Sequence, residues 1–181
     1  MSAVRRRSGS SGEIKHIILK DTREKKGLEF SHPDILFTKK FKLGVGDYCI
    51  QFFDQSIPPV IFERKSICDL FGTLTGDYSR FKQEVVRATE AGITLIVIIE
   101  GTFDKVLKGY KHRDPRNPEK KIHMDGLRII RTLFSLYVRY GVIPVFCKDR
   151  KEMQEYIVEY YLAIWRMRQG AVLKGVKNAK A

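Results

Sequence analysis

Cysteine is scarce in this sequence, and the little there is lies scattered. Cys49, Cys68 and Cys147 show no CxxC spacing. They read as small buried hydrophobes in a reducing compartment, not as a disulfide framework. The four histidines, at 16, 32, 112 and 123, make no metal-binding spacing with them, so a structural zinc is not expected. Long hydrophobic runs are missing too, which excludes a membrane span. The start, MSAVRRRSGSSGE, has positive charge but no apolar segment behind it, so it is not a secretory signal. No internal repeat is visible. Acidic residues are the last shortage: 21 Asp+Glu stand against 34 Lys+Arg, a formal charge of +13. That field suits polyanionic partners, nucleic acid before an acidic membrane, although basic tails or a solubility charge would give the same number. A soluble, intracellular protein with no membrane partner is expected.

With 181 residues, 43% of them apolar, the chain has room for one domain with a real core. Residues 1–13 read as a basic disordered tail, 14–169 as the folded domain and 170–181 as a second basic tail, weakly structured. HIILKD is a short buried strand ending at Asp21. GDYCIQFF and PPVIFERK are two more, joined by a hairpin-like connection around Asp54–Pro58. SRFKQEVVRATEAG is an amphipathic helix with Phe81, Val85 and Ala88 inward. ITLIVIIEG is apolar on both faces, as a central strand covered by helices should be. TFDKVLKGY is a short helix. KHRDPRNPEKKIHMD, with two prolines, reads as a long basic loop across 108–121. GLRIIRTLFSLYVRYG puts Leu127, Ile130, Leu133, Phe134, Tyr137 and Val138 on one helical face. VIPVFC is the last strand, and KEMQEYIVEYYLAIWRMR a final helix carrying Tyr156, Tyr160, Tyr161 and Trp165. The order β-β-β-α-β-α-α-β-α describes an α/β domain with a mixed central sheet flanked by helices.

The chemistry gathers at PPVIFERK, where an apolar strand ends in Glu63, Arg64 and Lys65. Side chains two apart on a strand share a face, so Glu63 and Lys65 project together and Arg64 projects away. Alone, this is a surface ion pair of roughly 0–1 kcal/mol. It is not alone. GVGD sets Asp47 at the start of the neighbouring strand, and KDTRE sets Asp21 at the end of the first. Acids delivered at strand ends beside a lysine suit a hard divalent cation, which takes oxygen ligands and shares them with a phosphate. Such a cation lowers the pKa of an attacking water and neutralises developing charge, while a lysine stabilises the transition state electrostatically.

These residues carry a resemblance. Gly46-Asp47, then Glu63-Arg64-Lys65, then Asp69, is similar to the signature of the XPF/Hef-type structure-specific endonucleases, and DTRE at 21–24 resembles that family's first motif. GTLTGDYSRFKQE, with Arg80, resembles the loop and helix that follow. The likeness covers about residues 16–168. It implies a restriction-endonuclease-like, three-layer fold and Mg²⁺- or Mn²⁺-dependent hydrolysis of phosphodiester bonds in branched DNA, at 3′ flaps, forks or junctions, in repair, replication or recombination. It implies Asp21, Asp47 and Glu63 as metal ligands, with Asp47, Glu63 and Lys65 catalytic. Arg23, Arg64 and Arg80 would contact phosphate or in part brace the site. Asp69 would hold Arg64 or Lys65 in place, or simply stabilise the dipole of its helix. Glu84 would reach the metal or face solvent.

No tandem helix-hairpin-helix module is visible after the domain, unlike most members; the basic loop or tails would supply substitute phosphate contacts. The segment 124–168 resembles the family's dimerisation face, so a homodimer through the C-terminal helices is expected, with a heterodimer as the variant. A non-catalytic DNA-binding subunit and a Holliday-junction resolvase are the competing readings. The implied location is with DNA: a nucleus in a eukaryote, the cytoplasm, nucleoid or a viral setting otherwise.

Overall fold

A computed structural model describes residues 15–114 and 117–178; the expected basic tail at 1–13 lies outside them. In chain order the elements are β1 (His16–Asp21), β2 (Ile35–Phe41), β3 (Tyr48–Gln51), β4 (Val60–Ser66), α1 (Ile67–Thr75), α2 (Tyr78–Glu90) and β5 (Thr94–Glu100). Then follow α3 (Phe103–Leu107), β6 (Tyr110–Asp114), β7 (Asn117–Met124), α4 (Gly126–Tyr140), β8 (Ile143–Cys147) and α5 (Arg150–Asn178). Six strands form one mixed sheet in the order β2-β1-β3-β4-β5-β8. β4, β5 and β8 run parallel, as do β1 and β2, while β3 is antiparallel to both its neighbours.

The period-two alternation of β4 divides the molecule. Val60 and Phe62 face α5, where they join Ile96, Ile98, Met153, Ile157 and Tyr161 in one core. Ile61 faces the other way, into a core with Leu95, Val97, Phe71, Phe81, Val85 and Leu133 from β5, α1, α2 and α4. The result is a sheet between two helical layers. α2 buries Phe81, Val85 and Ala88, the three residues its spacing selects. On α5 the aromatic stripe turns inward onto its own sheet. Tyr156, Tyr160 and Tyr161 surround the Phe62 ring, and Trp165 packs on His16 and Phe52. Tyr161 is fully buried and its hydroxyl donates to the Val60 carbonyl at 2.9 Å, tying the helix to β4.

Several expectations need correction. The segment 35–41, ILFTKKF, is a strand; it pairs along the sheet edge, where only Ile35 is buried. The basic segment 108–121 is not a loop but largely the β6–β7 hairpin. Pro118 falls where the register shifts, with Asn117 opposite Asp114 and Lys121 opposite Arg113, so its missing N–H interrupts no regular ladder. The buried face of α4 is rotated from the one expected: Ile129, Ile130, Leu133 and Leu136 face the core, while Leu127, Phe134, Tyr137 and Val138 are exposed. Apolar residues occupy more than half of that helix's circumference, so spacing alone did not choose the arc. α5 continues through Gly170 and Gly175 to Asn178, where a weakly structured tail was expected; each glycine costs about 1 kcal/mol in a helix and does not by itself end one. Cys49 and Cys147 are buried as expected, but Cys68 is exposed.

Candidate active site

The parallel pairing of β4 with β5 carries Glu63 and Lys65 to the end of β4 on the side of α2, and Arg64 to the side of α5. Glu63 is buried, and Lys65 Nζ lies 2.5 Å from its Oε1 and over the ring of Phe81. Asp47 arrives from the tight approach before β3. Gly46 has φ +66°, and a Cβ there would sit 2.4 Å from Ile61 Cγ2 and 3.1 Å from the Phe62 carbonyl oxygen, so only glycine lets the chain pass. The backbone then locks. Asp47 N–H donates to the Phe62 carbonyl, the Asp47 carbonyl accepts from Asp21 N–H, and Arg64 N–H donates to Asp47 Oδ2, each at 2.8 Å. Glu84, from α2, accepts from Gly46 N–H at 3.0 Å.

These groups open into one cavity of about 290 Å³ lined by Asp47, Glu63, Lys65, Glu84 and the arginines 23, 80 and 87, with Gly46, Thr73 and Phe81. Burial, followed by repulsion from Glu63, pushes the Asp47 carboxyl up to about 8. Glu63 is also raised, by burial first and by Glu84; Lys65 works in the opposite direction. Two carboxyls that resist ionising together, with one amine paired to Glu63, form an acid pair short of positive charge.

The other expected site residues are placed differently. Asp21 lies on the cavity side of β1, in line with Ile17 and Leu19, but both its oxygens are occupied. Arg23 donates to Oδ1 from its backbone N–H and Nε, at 2.8 and 2.7 Å, and Leu43 N–H donates to Oδ2 at 2.7 Å. Burial would raise the Asp21 pKa; these bonds outweigh it and hold the carboxylate below its usual range. It is Arg23, not Asp21, that lines the cavity. Arg64 is buried on the far face between Glu24 and Glu100, at 3.4 and 3.2 Å, and its Nε has no partner among the described residues. That placement is a brace for the strand end and leaves no path to a phosphate in the cavity. Asp69 Oδ2 accepts from Ser66 Oγ at 2.6 Å, and Ser66 Oγ accepts from Asp69 N–H, an N-terminal cap of α1 that includes neither Arg64 nor Lys65. Arg87 was not anticipated. Its signal was present: Arg80, Glu84 and Arg87 recur at i, i+4 and i+7 beside the inward stripe of α2.

Among the described residues no three His, Cys, Asp or Glu side chains stand together as a ready metal cluster. The donor set of the cavity nevertheless fits a hard cation: the carboxyl oxygens of Asp47 and Glu63 line one polar cavity, with Glu84 beside them.

The family model for the ERCC4 domain matches residues 20–160, most of the chain. Comparison with curated protein sequences gives no match. Among solved structures, XPF from Aeropyrum pernix in complex with DNA aligns with a TM-score of 0.53 and 20% identity, over 86% of this chain and 66% of that one. A second structure, XPF from Aeropyrum pernix, aligns with a TM-score of 0.56 and 19% identity, over 84% of this chain and 68% of that one. The chain thus spans about two thirds of the length of each. The mixed six-stranded sheet between helical layers is the restriction-endonuclease-like fold of those nuclease domains, as the motif resemblance implied. The chain belongs to the ERCC4 nuclease family.

Proposed function

We propose that the cavity hydrolyses phosphodiester bonds of branched DNA with a divalent cation, Mg²⁺ or Mn²⁺. The observation that carries this reading is the convergence of Asp47, Glu63 and Lys65, with arginines at the rim, in one polar cavity. Asp47 and Glu63 are the proposed ligands, and Glu84 adds negative charge beside them. Bound there, a divalent ion would neutralise phosphate charge and supply an acidic water. Lys65, beside Glu63 in the cavity lining, stabilises the charge that builds on the phosphoryl oxygens. Arg23, Arg80 and Arg87 hold the phosphates on either side, and Asp21 fixes the guanidinium of Arg23 in place. The choice of branched over linear DNA follows from the family resemblance.

A homodimer belongs to the same reading, with a heterodimer as its variant. The aromatic stripe of α5 is used within the chain, so the contact surface we assign is the exposed apolar face of α4, Leu127, Phe134, Tyr137 and Val138. The test is cleavage of end-labelled linear duplex, 3′ and 5′ flaps, forks and four-way junctions, with and without Mg²⁺ or Mn²⁺, beside Lys65→Ala. Metal-dependent cutting that favours branched forms and falls about 10²–10³-fold in the variant is expected. Binding without cutting in either metal would overturn the enzyme reading and favour a non-catalytic subunit.

A further inference from the structure

A second groove, of about 740 Å³, runs between the α1–α2 corner and α4. We propose that it is a phosphate track, which holds the backbone of a DNA arm leaving the catalytic cavity. The inference rests on the nuclease reading above, because it takes DNA as the ligand.

Three arginines, Arg128, Arg131 and Arg139, line this groove. Among the described residues no carboxylate lies within ion-pair distance of any of them. Arg23, Arg64, Arg80 and Arg150 each have one within 4.0 Å. Asp125, the acid at the groove's end, is committed to capping α4 through Leu127 N–H at 3.0 Å. Among the described residues the groove therefore sets three guanidinium groups, none of them ion-paired, against the one carboxylate of Asp125, a positive excess that suits an external polyanion. Between the arginines stand Thr132 and Ser135, whose hydroxyls are turned back onto the carbonyls of Arg128 and Arg131. They keep the stripe low, so the floor between the guanidinium groups stays open.

The position and length suit a backbone. Thr73 lines the catalytic cavity, and Leu74 and Thr75, next in the same helix, line the groove. Arg80 faces the cavity and Tyr78, two residues earlier in α2, faces the groove, so one corner of the molecule separates the two. From Arg128 to Arg139 the helix rises about 16 Å. At about 3.4 Å per nucleotide along one strand, that accompanies four or five nucleotides. Guanidinium groups spaced along it would grip phosphates without regard to base identity, which suits recognition of DNA by shape.

The test is metal-free binding of a dye-labelled fork and a linear duplex by fluorescence anisotropy, at several salt concentrations, with the full chain and an Arg128→Gln, Arg131→Gln, Arg139→Gln variant. Three lost phosphate contacts should flatten the slope of log K against log salt by about 2–3, since each contributes about 0.9. Affinity at moderate salt should fall roughly 10–100-fold. A matching triple Lys variant, which keeps the charges, should recover most of the slope; it also serves if the Gln variant folds poorly. An unchanged slope with a normal thermal melt overturns the track, whether or not the protein cuts DNA. A flattened slope in the Gln variant, beside a wild type that cuts nothing, keeps the track and removes the nuclease reading. If the Gln variant instead lowers the sedimenting mass while DNA affinity holds, the groove belongs to a second copy of the chain and the proposal fails.

Discussion

Replacing Asp47 by asparagine should stabilise the metal-free protein at alkaline pH while removing its proposed cleavage activity. The folded state holds a proton on Asp47 up to about pH 8, against an ordinary value of 3.8. Between those values the unfolded chain has released the proton and the folded chain has not, so the unfolded state binds fewer protons and stability declines as pH rises. The loss begins near pH 4 and is complete above about pH 8. A shift of about four units, at about 1.4 kcal/mol each, sets a ceiling near 6 kcal/mol. Relaxation and water entry at this half-buried carboxyl reduce that to about 1–3 kcal/mol. Asparagine is neutral throughout and keeps an oxygen for the Arg64 N–H that now donates to Asp47 Oδ2. In EDTA at pH 8 the variant should therefore melt roughly 3–10 °C higher, a gap that closes toward pH 4. Adding Mg²⁺ or Mn²⁺ should raise the melting temperature of the wild type and reduce the difference, because a ligand that binds only the folded state stabilises it by mass action. A variant that melts lower than wild type at pH 8, or a difference that does not move with pH, would show that the carboxyl pair carries no stored repulsion.

Two further predictions address the residues around the site. Arg64→Met should destabilise the fold by about 3 kcal/mol, because it takes the cation from the nearly buried Glu24 side chain and leaves Glu100 only the more distant Arg150, at 3.7 Å. DNA affinity measured without metal should then stay near wild type; a large loss of affinity in a variant that is still folded would return Arg64 to the phosphate. Tyr161→Phe should cost about 1–2 kcal/mol, seen as a lower urea midpoint at unchanged m, since the Val60 carbonyl on the strand bearing Glu63 loses its buried donor.

What was legible in the sequence is what short-range periodicity controls. The alternation of Val60 to Lys65 separated Glu63 and Lys65 from Arg64, and the structure keeps them on opposite faces of β4. The apolar spacing of α2 likewise named its buried residues. Periodicity was silent where neither face is fully buried. β2 is an edge strand with Leu36, Phe37 and Phe41 exposed and Lys39 and Lys40 along it, so ILFTKKF carries no clean alternation, and its lysines guard an open edge. On α4 the periodicity was present but ambiguous, because apolar side chains cover both the core arc and the exposed arc beside it. Only the positions of α1–α3 and the sheet decide which arc is buried.

The acids of the site show where motif spacing stops being informative. Asp21 and Asp47 look alike from the sequence, each an aspartate at a strand terminus before or after a short polar turn. Their fates diverge through partners that no spacing rule contains. Asp21 meets the Leu43 N–H, 22 residues away, and the side chain of Arg23, and these keep it ionised and satisfied. Asp47 meets one N–H, from Arg64, which favours the carboxylate, but burial and then Glu63 outweigh it and push the carboxyl up to about 8, in want of a cation. A carboxylate already supplied with donors gains little by binding a metal; one that is desolvated against another carboxylate gains a great deal. The difference between a brace and a ligand is therefore one of unmet charge, and it becomes readable only when the strands have set the distances.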